Sequence, residues 1–357
     1  RSSICRGIGM SKTRGECSIF RRVWLGVACT AIAALAALPA TAQTPVRFSL
    51  DWRWEGPAAI FAVALDKGYF KEEGLDVTID PASGSREPIS RIVSGTHDMG
   101  FGDVNSLARV RDENSAADIK AVMMIYDRPP FAIIGRKSRG ITKDVSSLEG
   151  KKFGAPAGDA AFAQWPIFKT VNNIDDSGMR MENVGFPVRE PMLAQGEVDA
   201  VFGFSMTSYI NLKARGVPTD DIVVLLMSDY GVELYGNAII VSEKFAQEKP
   251  EAVKGVLRAI AKGTRDAIAD PSAAIDAVLK RNEIAKKEVE LERLKMVIDQ
   301  NILTPYVKAN GFGGIDKERF NRALDQIGLT FKFKKKPTVD DIFTDAYLPA
   351  AELRKVD

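Results

Sequence analysis

Short apolar segments alternate with longer segments of helical periodicity along the chain. Residues 46–50 form a short apolar run, residues 60–65 carry the apolar face of a helix, and residues 76–79 form a second strand-like run. Gly56-Pro57 stands between the first two segments, and proline's fixed φ and missing N–H suit the first turn of a helix. Because strand and helix patterns continue to alternate, the chain is predicted to be an α/β protein whose parallel sheets carry helices on both faces.

A Gly-x-x-Asp-x-x-Phe-Gly pattern occurs twice, beginning at Gly95 and at Gly196, and each copy follows a predicted helix. We expect the first glycine to end the helix, the aspartate to hold the turn, and the apolar residues to form a strand. A pattern this short also arises by chance. Together with the alternation of strands and helices, it favours two related α/β lobes that face each other.

Two apolar segments, residues 132–134 and 238–240, flank the middle of the chain. If they pair as strands, they form a two-strand hinge that allows two lobes to close on a ligand. The chain then leaves the first lobe near Arg139 and returns near Tyr235. The predicted domains are a signal peptide (1–42), the first part of lobe 1 (43–138), lobe 2 (139–234), and the return strand and C-terminal helices of lobe 1 (235–357).

The N-terminal segment has the pattern of an export signal. A basic region ends at Arg21-Arg22, an apolar region spans residues 23–38, and an Ala-x-Ala cleavage pattern ends at Ala42. A membrane anchor is the alternative interpretation, but the apolar region is shorter than the ~20 residues that a spanning helix needs. We therefore expect a cleaved signal peptide, a mature chain that begins at Gln43, and a periplasmic location.

The overall composition is that of an ordinary soluble globular protein, with 45% hydrophobic and 27% charged residues among 357. The formal charge of +2 depends on the basic leader, because residues 43–357 hold 43 basic and 46 acidic side chains. A mature chain with this balance does not have the excess of Lys and Arg that marks a nucleic-acid-binding protein.

Side chains that carry catalysis are few. The three cysteines all lie before residue 43, and His97 is the only histidine. The mature chain therefore lacks a thiol nucleophile and has too few ligands for soft-metal sites or parts for nucleophilic triads. The sequence has no phosphate-binding loop or dinucleotide motif. We expect a binding protein that is not an enzyme and that uses no cofactor or metal.

Three sequence motifs carry a family resemblance. The segment LDW at residues 50–52, the helix pattern KGYFKEEGLDV at residues 67–77 and SLEGKKFG at residues 147–154 resemble solute-binding proteins of ABC importers. Within them, the chain is similar to the branch related to thiamine-pyrimidine synthases, whose cousins bind nitrate, sulfonates and taurine. The resemblance covers nearly all of the chain after residue 43. It implies a type II periplasmic-binding-protein fold with two α/β lobes and a two-strand hinge.

The resemblance also implies a small-molecule ligand, an ABC transporter permease in the inner membrane as partner, no nucleic acid, and a monomer. In the thiamine-pyrimidine branch, Asp-Trp after the first strand resembles a site where a flat nitrogen heterocycle stacks on the aromatic ring and the acid meets its amino group. Asp51-Trp52 stand in that place, but residues 53–57 depart from the polar stretch usual in the branch. A sulfonate, taurine or nitrate binder, an enzyme of the pyrimidine-synthase type and a receptor-linked sensor domain remain alternatives.

Aromatic and polar residues near the ends of predicted strands are candidate walls of the pocket. Trp52 and Trp54 are two residues apart, so in an extended segment both indoles face either the cleft or the core. Asp51 and Glu55 either bind amino groups of a ligand or act as local caps and ion-pair partners. Trp165 lines the pocket or packs in the core.

Residues 83–85 precede a predicted helix, and their amides and hydroxyls could hold an anion or a carbonyl group. Arg189 and Glu190 either reach the cleft or pair at the surface. The candidate ligand-binding residues are Asp51, Trp52, Trp54, Glu55, Ser83, Gly84, Ser85, Asp103, Asn105, Gly158, Asp159, Trp165, Glu190, Ser205, Tyr230 and Asn237.

Overall fold

The computed structural model describes residues 42–356, and this part of the chain contains ten strands. The strands are β1 (Thr44–Ser49), β2 (Leu75–Asp80), β3 (Met99–Asp103), β4 (Ile119–Met124), β5 (Phe131–Arg136), β6 (Lys152–Gly154), β7 (Arg180–Glu182), β8 (Ala200–Phe204), β9 (Ile222–Leu226) and β10 (Asn237–Ser242). They form two five-stranded sheets with the orders β2-β1-β3-β10-β4 and β7-β6-β8-β5-β9.

Each sheet contains one antiparallel strand. In the first sheet, β1 is parallel to β2 and β3, and β10 runs antiparallel between β3 and β4. In the second sheet, β6 is parallel to β7 and β8, and β5 runs antiparallel between β8 and β9. The two sheets therefore share one topology. The loops that follow the carboxyl ends of parallel strands are where such sheets usually hold ligands.

Fifteen α-helices occur in the described residues, and most are short. They are α1 (Ala59–Asp66), α2 (Tyr69–Glu72), α3 (Glu87–Val93), α4 (Val104–Glu113), α5 (Trp165–Val171), α6 (Phe186–Gln195), α7 (Ser205–Ala214), α8 (Glu243–Glu248), α9 (Pro250–Ala269), α10 (Pro271–Leu279), α11 (Lys287–Val297), α12 (Pro305–Asn310), α13 (Lys317–Gly328), α14 (Val339–Ile342) and α15 (Ala351–Arg354). Short 3₁₀ turns lie at Gly56–Ala58, Lys137–Arg139, Val145–Leu148, Phe162–Gln164 and Met227–Tyr230, and Ile298–Ile302 forms a π turn.

The long helix α9 covers α1 on the first sheet. The two helices approach closely at Gly263, where a Cβ atom would lie 2.2 Å from the carbonyl oxygen of Ile60. Only glycine permits this distance. Under α1, the buried rings of Phe48 and Phe61 lie 5.3 Å apart. Burial of each aromatic side chain contributes about 1.5–3 kcal/mol and fixes α1 above β1.

The repeated Gly-x-x-Asp-x-x-Phe-Gly pattern has the predicted structure in both copies. Gly95 and Gly196 adopt positive φ angles of 78° and 76° and end helices α3 and α6 or the turns that follow them. The strands that follow, β3 and β8, occupy the third position in their sheets. Two related α/β units therefore make up the described residues.

The predicted pairing of residues 132–134 with residues 238–240 is wrong. The first segment lies in β5 of the second sheet and the second in β10 of the first sheet, so the two are equivalent strands of different sheets. Both segments are uniformly apolar, because each is buried on two faces, and such a pattern does not specify a partner. The chain changes sheet between Met124 and Phe131 and returns between Leu226 and Asn237.

We call residues 131–226, which build the second sheet, the second lobe, and the remaining described residues the first lobe. The predicted boundary after residue 138 lies beyond the change of sheet, whereas the boundary after residue 234 lies within the returning segment. The predicted signal peptide falls outside the described residues, apart from Ala42. Within residues 42–356, no helix combines the length and the apolar character needed to cross a membrane.

Candidate ligand-binding cleft

A narrow cleft of about 40 Å³ lies where loops of the two lobes meet. Its lining residues follow the carboxyl ends of β1, β2 and β4 in the first lobe and of β6, β7 and β8 in the second. They are Asp51, Trp52, Arg53, Glu55, Pro57, Ala58, Gly84, Ser85, Tyr126, Asp159, Ala160, Phe186, Arg189, Phe204, Met206 and Thr207. The shared topology of the sheets therefore brings two sets of loops together at one site.

Backbone hydrogen bonds hold the first-lobe loops in place. The amide of Gly84 donates to the carbonyl of Asp51 at 3.0 Å, and the amide of Ala82 donates to that of Trp52 at 3.1 Å. Gly84 has a φ of +132°, and a Cβ atom there would lie 3.2 Å from the carbonyl oxygen of Gly158 in the second lobe. A residue without a side chain at this position allows the two lobes to approach.

Two aromatic rings from opposite lobes form the walls of the cleft. The ring centroids of Trp52 and Phe186 lie 5.1 Å apart with their planes at 67°, an edge-to-face contact. The indole Nε1 of Trp52 donates to Glu55 Oε2 at 3.2 Å, which fixes the ring from the first lobe. The guanidinium carbon of Arg53 lies 4.9 Å from the indole centroid. The walls are flat, apolar surfaces suited to a planar ligand.

Polar groups gather around Asp51 at the first-lobe end of the cleft. Asn237 Nδ2 donates to Asp51 Oδ2 at 2.9 Å. Tyr126 is 1% exposed, and its hydroxyl, like Asn237 Oδ1, has no hydrogen-bond partner among residues 42–356. Buried polar atoms are normally paired, since an unpaired one costs about 1–3 kcal/mol. Tyr126 is one of the lining residues, and its buried hydroxyl is therefore a candidate partner for a polar group of a ligand.

Burial raises the pKa of Asp51 to about 7, against an ordinary value of 3.8. The hydrogen bond from Asn237 lowers the pKa, but the nearby carboxylate of Glu55 raises it further. Burial also raises the pKa of Tyr126 well above its ordinary value, with a contribution from Asp51. Asp51 is thus a buried carboxyl group that changes charge near neutral pH, and its hydrogen-bonding partner Asn237 is neutral.

The second lobe supplies a buried network around Arg189, which is 3% exposed. Its Nε donates to Glu190 Oε1 at 2.8 Å, and its Nη1 donates to Asp159 Oδ2 at 3.0 Å. Ser208 Oγ donates to the same oxygen of Glu190 at 2.7 Å. Because two carboxylates face one guanidinium, this network does not present the excess positive charge that would hold a small anion.

Six of the predicted site residues line the cleft, and four more lie next to it. Those that line it are Asp51, Trp52, Glu55, Gly84, Ser85 and Asp159. Gly158 contacts the Gly84 position, Glu190 pairs with Arg189, Asn237 bonds to Asp51, and Ser205 lies between two lining residues.

Three predicted aromatic residues lie elsewhere. The segment around Trp54 is a tight turn closed by a bond from the Glu55 amide to the Arg53 carbonyl, so the two indoles do not share a face. Trp54 packs on the first-lobe core beneath Arg281. Trp165 is 5% exposed within a cluster of phenylalanines in the second-lobe core. The hydroxyl of Tyr230 donates to the carbonyl of Lys143 at 2.8 Å, away from the cleft.

The remaining predicted polar residues hold local structure. Asp103 caps α4 by accepting bonds from the amides of Asn105 and Ser106. Asn105 Nδ2 donates to Asp103 Oδ1 and to the carbonyl of Tyr235, which leaves its amino group fully used inside the protein. Ser83 is exposed, and its amide donates to Glu87 Oε2. These residues position the helices that follow β2 and β3.

The prediction missed much of the apolar lining, including Phe186, Phe204 and Met206. It also missed Tyr126, which lies two residues after β4 and carries a hydroxyl group at the end of an otherwise apolar segment. Phe186 begins α6 directly before a proline, so the pattern resembles an ordinary helix start. A contact between lobes leaves no local signal in sequence.

The chain has relatives that bind small molecules and relatives that synthesise one. It is 25% identical over 299 residues, 82% of each chain, to the riboflavin-binding protein RibY of Chloroflexus aurantiacus. It is 27% identical to the formylaminopyrimidine-binding protein of Halalkalibacterium halodurans, covering 84% of this chain and 89% of that one. It is also 28% identical to the 4-amino-5-hydroxymethyl-2-methylpyrimidine phosphate synthase THI13 of Saccharomyces cerevisiae, over 63% of this chain and 68% of the synthase.

Solved structures share the fold. The periplasmic aliphatic sulphonate-binding protein SsuA of Escherichia coli aligns with a TM-score of 0.65 at 13% identity, over 85% of this chain and 99% of its own. The nitrate-binding protein NrtA of Synechocystis aligns with a TM-score of 0.64 at 12% identity, over 85% and 87%. The predicted periplasmic-binding-protein fold is confirmed. The family described as NMT1/THI5 like matches residues 57–274, more than half of the chain, and the protein therefore belongs to this family.

Proposed function

We propose that this protein is the exported solute-binding component of an ABC importer and that it closes two lobes on a nitrogen-containing heteroaromatic compound. A thiamine pyrimidine precursor is the leading ligand class. Relatives named for binding formylaminopyrimidine and riboflavin support the class, because both names denote planar nitrogen heterocycles.

The observation that carries the proposal is the combination of flat walls with a polar end. A planar ring can stack on Trp52, whose indole is held by Glu55 of its own lobe, with Phe186 on the opposite lobe. Its polar edge then meets Asp51 and the hydroxyl of Tyr126, which has no hydrogen-bond partner in the described part of the chain. Asp51 accepts from an amino group, and Tyr126 donates to a ring nitrogen or a carbonyl oxygen. A few placed polar groups in an apolar cleft are typical of small-molecule sites.

Closure follows from the size of the cleft. A cavity that holds benzene measures about 150 Å³, whereas this cleft measures about 40 Å³. A ring inserted between Trp52 and Phe186 needs about 7 Å between their planes, twice the ~3.5 Å contact distance. The lobes must therefore separate to admit the ligand and close again around it, through movement of the two connections between the sheets.

The importer role supplies the partners and the location. We propose that the chain is exported through its N-terminal signal peptide, acts in the periplasm as a monomer, and delivers its ligand to a permease in the inner membrane. The fold shared with periplasmic binding proteins supports this role. No nucleic acid and no cofactor take part.

The charges of the cleft favour a heterocycle over a sulfonate, taurine or nitrate. Three carboxyl groups and two arginines line it, and Arg189 already faces two acids.

The alternative that the protein is an enzyme of the pyrimidine-synthase type is weakened by the position of its single histidine. His97 precedes β3, bonds to Asp80 at 3.0 Å, and is not among the residues that line the cleft. We propose that no reaction takes place in the cleft.

A thermal-shift screen of residues 43–357 tests the proposal. The panel contains formylaminopyrimidine, other thiamine pyrimidine precursors, riboflavin, purines, aromatic acids, taurine, alkyl sulfonates and nitrate. A ligand at 100 times its Kd adds about 2.7 kcal/mol of stability, which raises the Tm by several degrees. The proposal requires a shift with planar nitrogen heterocycles. A shift with sulfonates or nitrate alone would show that the site selects anions instead.

A further inference from the structure

Arg293 is a buried arginine of α11 that contacts both lobes. It is 2% exposed, and its Nη1 lies 3.2 Å from the carbonyl oxygens of Met206 and Thr207 in the second lobe. Its Nη2 donates to Asn211 Oδ1 at 3.0 Å. All three acceptors belong to α7, and the first two residues line the cleft.

The other side of the same guanidinium faces the first-lobe wall. Arg293 Nε donates to Glu290 Oε2 at 3.1 Å and lies 3.7 Å from Glu55 Oε2. Glu290 Oε2 also accepts the amide of Gly56 at 2.6 Å, and Glu55 Oε2 accepts the indole N–H of Trp52. One side chain is therefore connected to the indole wall of the first lobe and to the backbone of the second-lobe wall.

The loop that carries Trp52 lies unusually close to α11. A Cβ atom on Gly56 would lie 2.5 Å from the carbonyl oxygen of Glu290 and 2.8 Å from the amide of Leu294. The backbone of the Trp52 loop is thus in contact with the backbone of α11, so a displacement of the loop also displaces the helix, and the reverse. Separation of the lobes must break the contacts of Arg293 with α7 or the contacts between α11 and the loop.

We propose that Arg293 is a positioning residue that couples the two walls of the cleft and stabilises their closed arrangement. This inference rests on the proposed function, because it assumes that the lobes open and close. The residue does not line the cleft and acts through Glu55 and through the first turn of α7. A planar fork of N–H donors can satisfy acceptors on two sides at once, which the single ammonium group of lysine cannot do.

A surface ion pair between the same two helices provides a matched control. Lys213 of α7 lies 2.7 Å from Glu292 of α11, and each side chain is 43% exposed. Exposed pairs of this kind contribute little. If any ion pair between α7 and α11 stabilises the closed arrangement equally well, loss of Lys213 and loss of Arg293 should change the ratio of closed to open molecules by similar amounts. If Arg293 has the proposed role, its loss alone should shift the lobes.

The test measures the distance between the lobes. Residues 43–357 contain no cysteine, so spin labels can be placed at Lys71→Cys in the first lobe and Glu197→Cys in the second, both exposed positions. Double electron–electron resonance then gives the ratio of closed to open molecules, without ligand and with formylaminopyrimidine or riboflavin. Parent protein, Arg293→Lys, Asn211→Ala and Lys213→Met are compared, and the Tm of each is recorded.

We expect Arg293→Lys to lower the closed-to-open ratio at least tenfold and Lys213→Met to lower it less than about threefold. Asn211→Ala removes one acceptor of Arg293, whose guanidinium keeps Glu290 as its acidic partner, and should lower the ratio about two- to tenfold with little change in Tm. This variant keeps the test decisive if Arg293→Lys does not fold. Unchanged distance distributions in Arg293→Lys or Asn211→Ala, with a lowered Tm, would overturn the inference and leave Arg293 with a purely structural role.

The same data separate this inference from the proposed function. If neither formylaminopyrimidine nor riboflavin shifts the parent protein towards the closed distance, the proposed ligand class fails. The comparison of parent and variant proteins without ligand still decides the role of Arg293. If the probes close the parent protein, but the ligand-free ratio of closed to open molecules is the same in the parent protein, Arg293→Lys and Asn211→Ala, the ligand class stands and the coupling role is refuted.

Discussion

The pKa of Asp51 predicts that a substitution in the cleft stabilises the protein. Replacement of Asp51 by Asn keeps an oxygen that accepts the 2.9 Å bond from Asn237 and removes the charge. In the folded protein, burial holds the pKa of Asp51 at about 7, whereas its ordinary value is 3.8. The unfolded chain therefore releases the proton first as the pH rises, and ionisation favours unfolding.

The pH window and the magnitude follow from these values. The contribution of Asp51 to stability is fully present below pH ~4 and is lost as the pH rises towards 7. A difference of about three pKa units at ~1.4 kcal/mol per unit gives about 4 kcal/mol as the ceiling above pH 7. Asp51→Asn should thus match the parent protein near pH 4 and exceed its free energy of unfolding at pH 8, by up to ~4 kcal/mol.

Urea denaturation of both proteins at pH 4.5, 6 and 8 measures this difference. Asp221→Asn is a control of opposite sign. Burial raises the pKa of Asp221, but hydrogen bonds from Ser138 and Arg136 outweigh burial and hold the pKa below its ordinary value. Its contribution is present above pH ~4 and is lost only as the pH falls below the ordinary value of 3.8, so Asp221→Asn should lower the free energy of unfolding by about the same amount at pH 4.5, 6 and 8. An Asp51→Asn protein that gains nothing between pH 4.5 and 8 would refute the reasoning.

Three further substitutions test the structure. Gly56→Ala should cost about 1–3 kcal/mol in urea denaturation, because the new methyl group would meet a backbone carbonyl of α11 at 2.5 Å; an unchanged midpoint would contradict this close approach. Arg319→Met should cost at least ~2 kcal/mol, since it leaves the 3%-exposed carboxylate of Asp127 without its arginine; a stability unchanged at pH 7 would contradict it. Trp52→Ala should weaken ligand binding tenfold or more in calorimetry, whereas Trp54→Ala should lower the Tm and leave the Kd within about threefold; equal losses of affinity would contradict the assignment of one indole to the cleft.

Much of the fold is predictable because its elements depend on local pattern. The strand at residues 200–204 and the aspartate cap of α4 are fixed by apolar runs and by capping chemistry. The partner of a strand is different. β5 and β10 are both continuous apolar runs, and nothing in either run states which sheet it joins. Pairing between distant segments depends on the whole topology, so the predicted hinge pairing was drawn between equivalent strands of two sheets.

The candidate site was predictable on one side of the cleft. Asp51 and Trp52 follow a strand of the first lobe, and an indole among charged residues is unusual in a plain loop, where Gly, Ser or Asn are common. Trp54 shows the limit of this pattern, since a bond from the Glu55 amide to the Arg53 carbonyl turns the segment, and the second indole packs, partly buried, against the first-lobe core. The facing wall, including Phe186, is built by contact between lobes, which no local pattern records.

The most direct test of the central claim uses the fluorescence of Trp52. Of the four tryptophans, three lie in residues 43–357, so Trp54→Phe with Trp165→Phe leaves Trp52 as the single indole of a protein of residues 43–357. Titration of this protein with formylaminopyrimidine should quench or shift the emission with the same Kd that calorimetry gives for the parent protein, and taurine and nitrate should have no effect. Binding in calorimetry without any change in the emission of Trp52 would show that the ligand does not stack in this cleft.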